Sequence, residues 1–101
     1  MKTLNDYSGA EGVDILIECS PLITEILGDS KIMKELEGKS LMQVGGEVYK
    51  AHTETCNKLF AILDHEPENA ISAVTATAQV MAELLTNQDL LDFFTSLGKQ
   101  K

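Results

Sequence analysis

The chain has 101 residues, 44% of them hydrophobic and 24% charged, with a net charge of −8 and eight lysines but no arginine. This length fits one domain, and the composition excludes a disordered or membrane-embedded class, since no apolar run approaches the ~18 residues a spanning helix needs. The charge argues against a nucleic-acid binder or a phosphate-handling enzyme, because phosphate recognition needs clustered cations and arginine is its usual bidentate clamp.

Met1 to Asp6 carry no hydrophobic leader of the secretory type, so a cytoplasmic protein is expected. In that compartment Cys19 and Cys56 read as two buried thiols, not a bridge. There is no Trp, and the three Phe are Phe60, Phe93 and Phe94, so the core should be mainly aliphatic.

Residues 1–7 read as a short, flexible lead-in. Ser8-Gly9-Ala10-Glu11 has the form of a capping box and predicts a helix on which Val13, Ile15, Leu16, Ile17 and Cys19 give a broad apolar surface. Asp14 and Glu18, four apart, fall on the remaining face. As an acid–base pair they lack a companion His or Lys, so they read as solvated surface. Ser20-Pro21 either starts a second helix or kinks the first, with Leu22, Ile23, Ile26 and Leu27 as the apolar face ahead of Gly28. Lys31 to Glu37 predicts a short helix with Ile32, Met33 and Leu36 inward, stopped by Gly38.

From Lys39 to Gly46 the glycine pair Gly45-Gly46 breaks any period among Leu41, Met42 and Val44, which leaves loop, helical turn and brief strand all open. Gly38-Lys39-Ser40 resembles the end of a phosphate-binding loop, but Met33 stands where the upstream glycine belongs, so the match is a chance one. Glu47 to Leu63 reads as one long helix with Val48, Ala51, Cys56, Leu59, Phe60, Ile62 and Leu63 on its core side. It places His52 and Cys56 four apart, which is half of a metal site. Zinc takes three or four ligands, and completing the set would consume Cys19 and His65, the only other Cys and His. A buried thiol beside a partly exposed His is the preferred reading, and neither metal nor cofactor is expected.

The hub of the chain is predicted over Pro67 to Leu85, after a turn at Asp64-His65-Glu66. Ala70 to Ala82 carry no charge. Ala70, Ile71, Val74, Ala78, Met81, Ala82 and Leu85 follow one helical face, with Ala73, Ala76, Val80 and Leu84 opposite. Such a helix is buried on most of its circumference, and its alanines allow helices near 9–28 and 47–63 to approach closely. Thr86-Asn87-Gln88-Asp89 restarts the pattern. The last helix, Gln88 to Leu97, carries Leu90, Leu91, Phe93, Phe94 and Leu97, and Gly98 closes it before a flexible tail at 98–101. The sum is an all-α, small single-domain bundle of about four to six helices over residues 1–101.

Leu4 to Glu11, Asp14-Ile15-Leu16 and Glu18 to Asp29 with its Ser20-Pro21 step, followed by Phe60 to Asp64, Pro67-Glu68, Leu84 to Leu90 and Phe94-Thr95-Ser96, resemble the tail assembly chaperones of long-tailed phages of Gram-positive bacteria. The resemblance covers most of the chain outside about residues 33–50. Asp64-His65-Glu66 stands where that pattern has an Asp-Gly turn. The resemblance implies an all-helical, non-enzymatic protein that binds the tape measure protein and keeps it soluble while tail tube subunits are recruited. It also implies action in the host cytoplasm, absence from the finished virion, and in many members a longer form made by ribosomal frameshifting.

Under that reading the partner surface is expected on the last helix, through Leu91, Phe94 and Leu97 with Met81 and Leu85, in the helix-in-groove mode. The alternative is that both aromatics of that helix are buried in the core. Met33, Met42 and Met81 would line an adaptable groove or, the preferred reading, fill the core. A second class of function is an acidic helical regulator that binds a basic protein as a nucleic-acid mimic. It requires carboxylates in a spaced stripe, whereas here they read as scattered over helix faces. A third is a small enzyme or metalloprotein built on His52, Cys56 and the carboxylates.

Overall fold

The computed structural model describes residues 4–99, and they form an all-α bundle. One turn of 3-10 helix (Leu4–Asp6) precedes α1 (Gly9–Leu27), α2 (Ser30–Glu35), α3 (Leu41–Ala51), α4 (Thr53–Ile62), α5 (Ala70–Thr86) and α6 (Gln88–Lys99). The radius of gyration, 12.7 Å, equals that of a single compact domain of this length, about 13 Å.

Helix α1 starts at Ser8, whose backbone is extended, but the Ser8 side chain makes no capping bond. The two readings of Pro21 resolve in favour of one helix, which runs unbroken for 19 residues with Pro21 inside it. Proline has no N–H to offer the carbonyl of Ile17. Both residues face solvent, where water can take that bond. The core side of α1 is Gly12, Cys19, Ile23 and Ile26. Val13 and Ile17 lie outside it, which corrects the broad inward surface expected for this helix.

Asp29 caps α2 by accepting the N–H of Ile32 at 3.1 Å, and Ile32 and Leu36 are buried as predicted. The undetermined stretch from Lys39 to Gly46 becomes helical. Ser40 and Gln43 form a capping box in which the Gln43 N–H donates to Ser40 Oγ at 3.3 Å and the Ser40 N–H donates to Gln43 Oε1 at 3.0 Å. Gly45 then falls inside α3 at its crossing with α5. A Cβ there would lie 2.6 Å from the carbonyl oxygen of Val74, 2.8 Å from Ala78 Cβ and 2.9 Å from Ala78 N. The two backbones are nearly in contact, and α3 with α5 is the most extensively packed pair of helices.

The single helix expected over Glu47 to Leu63 is interrupted at His52, which takes φ −130° and ψ 49° and serves both as the end of α3 and as the start of α4. Helix α5 forms as predicted, though its first residue is Ala70. Asn69 and Ser72 cap it reciprocally at 2.9 and 3.0 Å. Its phase differs from expectation. Ala73, Ala76, Thr77, Ala78, Val80, Met81 and Leu84 are buried, while Ile71 is 70% and Leu85 50% exposed. At the crossing with α3, Ala78 lies against Gly45, a contact that a larger side chain would not allow. Thr77 is satisfied inside the core by donating to the Ala73 carbonyl at 2.9 Å. Helix α1 packs mainly on α4 and α6, so the hub role of α5 is exercised chiefly toward α3 and α6.

Asn87 caps α6 by accepting the Leu90 N–H at 3.1 Å. The helix continues through Gly98 to Lys99 and does not close after Leu97. Of the expected tail, Gln100 and Lys101 lie outside the described residues. At the other end Leu4 is buried in the core and Tyr7 packs against it, so part of the lead-in is held on the bundle; Met1 to Thr3 lie outside the described residues.

Candidate partner-binding surface

The five residues expected to meet a partner do not share a surface. Met81 and Phe94 are fully buried members of the core, Leu91 and Leu97 are half-buried, and Leu85 stands largely outside. Phe94 lies edge-on to Phe93 at a centroid distance of 5.3 Å. In a core with so few aromatics, its volume is needed where α6 meets α1 and α5. The proposed α6 face is thereby corrected. Of the remaining methionines Met33 is half-buried and Met42 is 46% exposed.

The continuity of α1 creates a different surface. At 100° per residue, Glu11, Asp14, Glu18 and Glu25 fall within about 60° of arc along one helix, and all four are exposed. Beside them run Val13, 48% exposed, and Ile17, 51% exposed, followed by exposed Pro21. Helix α1 contains no lysine or arginine. Carboxylates that looked scattered are thus aligned, because Pro21 does not break the helix. The phase of the four acids was the sequence signal that could have oriented α1, and it is visible only when 9–27 is treated as one element. Leu16, next to this edge, lines a depression of about 310 Å³ with Leu90 and Phe93, which carries the apolar surface across to α6. Asp89 and Asp92 of α6 are also exposed.

Behind the far end of the row lies a polar junction. His52 Nε2 is 2.8 Å from Asp29 Oδ2, and His52 Nδ1 is 3.7 Å from Glu25 Oε2. The Thr55 hydroxyl donates to Glu25 Oε2. One imidazole therefore ties the end of α1 and the cap of α2 to the break between α3 and α4. The Ile32 N–H, then His52, hold the Asp29 carboxyl below the usual carboxylate range.

Among the described residues no group of three or more His, Cys, Asp and Glu is placed to hold a metal ion. Cys19, His52, Cys56 and His65 are not gathered into a site. Burial, reinforced by Glu18, pushes the Cys19 thiol up to about 11. Burial likewise pushes Cys56 up to about 11 against a smaller opposing hydrogen bond with Thr77. Such thiols are protonated at neutral pH and are poor nucleophiles. A cleft of about 540 Å³ between α1 and α6 is lined by Pro21, Thr24, Glu25, Leu27, Gly28, Phe94 and Thr95, which include one ionisable group and no nucleophile–base pair. No described helix is long and apolar enough to cross a membrane. Comparison with protein-family models, with curated protein sequences and with solved structures finds no match to this chain.

Proposed function

We propose that this chain is a non-enzymatic phage tail assembly chaperone that binds the tape measure protein. It keeps that long helical chain soluble and helps recruit tail tube subunits, acting in the host cytoplasm and leaving before the virion is complete. The observation that carries this reading is the juxtaposition on α1 of half-exposed aliphatic side chains with a row of carboxylates. A protein that shields amphipathic helices needs apolar surface to offer and enough charge to stay dissolved while offering it. The resemblance of segments between Leu4 and Asp29, of Phe60 to Asp64 with Pro67-Glu68, and of Leu84 to Leu90 with Phe94-Thr95-Ser96 to the tail assembly chaperones supports the same reading.

Co-expression with the tape measure protein encoded in the same genome tests it. The expected result is a rise in soluble tape measure protein and a recovered complex; neither gain nor complex would remove the proposal. A slippery run in the codons around Gly98 to Lys101, with an overlapping frame ahead of a very long helical gene, would favour the same reading.

The aligned carboxylates of α1 also favour a second reading, an acidic regulator that occupies a basic protein by mimicking nucleic-acid charge. A mimic acts through charge alone, so its affinity collapses with added salt and is indifferent to Val13 and Ile17.

A further inference from the structure

We infer that the outer face of α1 is the docking surface, and that its occupant is a cationic amphipathic helix: an aliphatic stripe to cover Val13 and Ile17, flanked by Lys or Arg to meet Glu11, Asp14 and Glu18. The inference deepens the chaperone reading and rests on it only for the identity of the natural partner.

Charge complementarity selects this occupant among those an apolar helix face might take. A second copy of the chain would bring the same row of carboxylates against itself, in a protein of net charge −8. Anionic lipid and nucleic acid are repelled for the same reason. What remains is a cationic partner, and the aliphatic edge requires that partner to be apolar on one side. From Glu11 to Glu25 the face spans about 21 Å of helix, enough to seat about four turns of an antiparallel or parallel neighbour. Its apolar edge continues through Leu16 into the depression floored by Leu90 and Phe93, which gives the partner's larger side chains somewhere to enter. Glu25 is partly committed to Thr55 and His52, so the carboxylates nearer the N-terminus are the ones available to recognise cations.

The test uses the intact chain and two synthetic helical peptides of about 15 residues, one with a leucine stripe flanked by lysines and one with the lysines replaced by glutamates. Titration calorimetry on the unmodified protein should show binding of the lysine peptide only, weakened at least about 10-fold between about 50 and 300 mM salt. Asp14→Lys combined with Glu18→Lys should weaken it about 10-fold or more, as should Val13→Ser combined with Ile17→Ser, with helical circular dichroism unchanged because all four positions are exposed. Equal binding of both peptides, no binding, or binding insensitive to either pair of substitutions would overturn the inference. The same variants in the tape measure co-expression assay separate the two proposals. If the unmodified chain solubilises that protein and the variants do so equally well, the α1 face is wrong and the chaperone reading stands. If the unmodified chain gives no gain while the lysine peptide binds as described, the face stands and the chaperone reading falls.

Discussion

The position that a Cβ on Gly45 would occupy lies 2.6 Å from the carbonyl oxygen of Val74. Helices α3 and α5 are therefore joined backbone to backbone, at a glycine that the local sequence presents as a breaker. Alanine is the better helix former by about 0.5–1 kcal/mol, yet at Gly45 it must displace main-chain atoms of α5, and overpacking of that kind costs about 1–3 kcal/mol or more. Gly46, one residue on, has nothing within 4 Å of the equivalent position. Gly45→Ala should lower the urea midpoint, and Gly46→Ala should raise it by the propensity gain alone. Equal effects of the two substitutions would show that the crossing is not close.

Phe94 and Leu85 separate core from surface at the end of the chain. Phe94→Ala should destabilise by about 3–5 kcal/mol, whereas Leu85→Ala, at a half-exposed position, should stay within about 0.5 kcal/mol. Equilibrium denaturation of the two variants decides between them. A mild effect at Phe94 would return that ring to the surface on which a partner was first expected.

The thiols of Cys19 and Cys56 should be unreactive toward a disulfide reagent at pH 8 until denaturant is added. Their folded values, about 11 against 9.0 in an unperturbed thiol, also set a sign for stability. Between pH 9 and 11 the unfolded chain has lost protons that the folded chain keeps, so stability must fall as pH rises through that window. Thiolate absorbance should titrate near 9 in urea and near 11 in the native protein.

Asp29 works in the opposite direction. Its folded value lies below the unperturbed 3.8, so the stabilisation it gives is present above about pH 4 and is lost as pH falls through the folded value. Both causes act on the charged form: the Ile32 N–H at 3.1 Å and the His52 ring at 2.8 Å. Asp29→Asn should lower the urea midpoint at pH 7 and flatten its decline between pH 4 and 2. A variant with the same acid decline as the unmodified chain would show that Asp29 does not carry it.

Asp64 has φ +58°, the left-handed conformation that a glycine adopts freely and that Asp tolerates better than most residues. Asp64 takes the left-handed turn after α4 itself. Asp64→Gly should be neutral or stabilising and Asp64→Val destabilising by about 1 kcal/mol, as read from thermal unfolding.

Much of this architecture was legible locally. The starts of α1 and α6 are expected at Ser8 and near Asn87, and the short α2 follows from Asp29, Ile32 and Leu36, because capping and helical periodicity depend on residues within one turn of each other; α5 starts at Ala70, three residues after the expected Pro67. The same is true of the burial of both cysteines and of the all-α class itself. The errors have one form. Apart from the start of α5 and the end of α6, each concerned a residue whose role depends on a neighbour distant in the chain. Gly45 reads as a breaker until Val74 and Ala78 lie against it. The phase of α5 is ambiguous when apolar residues surround it, and only the packed bundle buries Ala73, Ala76 and Val80 while leaving Ile71 and Leu85 outside. His52 interrupts a continuous pattern at the point where its ring reaches Asp29, twenty-three positions away.

The sequence by itself determined a small, acidic, all-helical chain with an aliphatic core, because composition and 3.6-residue periodicity are properties of the chain alone. Tertiary packing decided which faces remain outside. It buried Met81 and Phe94, and on α1 it left Val13 and Ile17 beside a row of carboxylates. A helix has only one buried side to give, and its neighbours choose which.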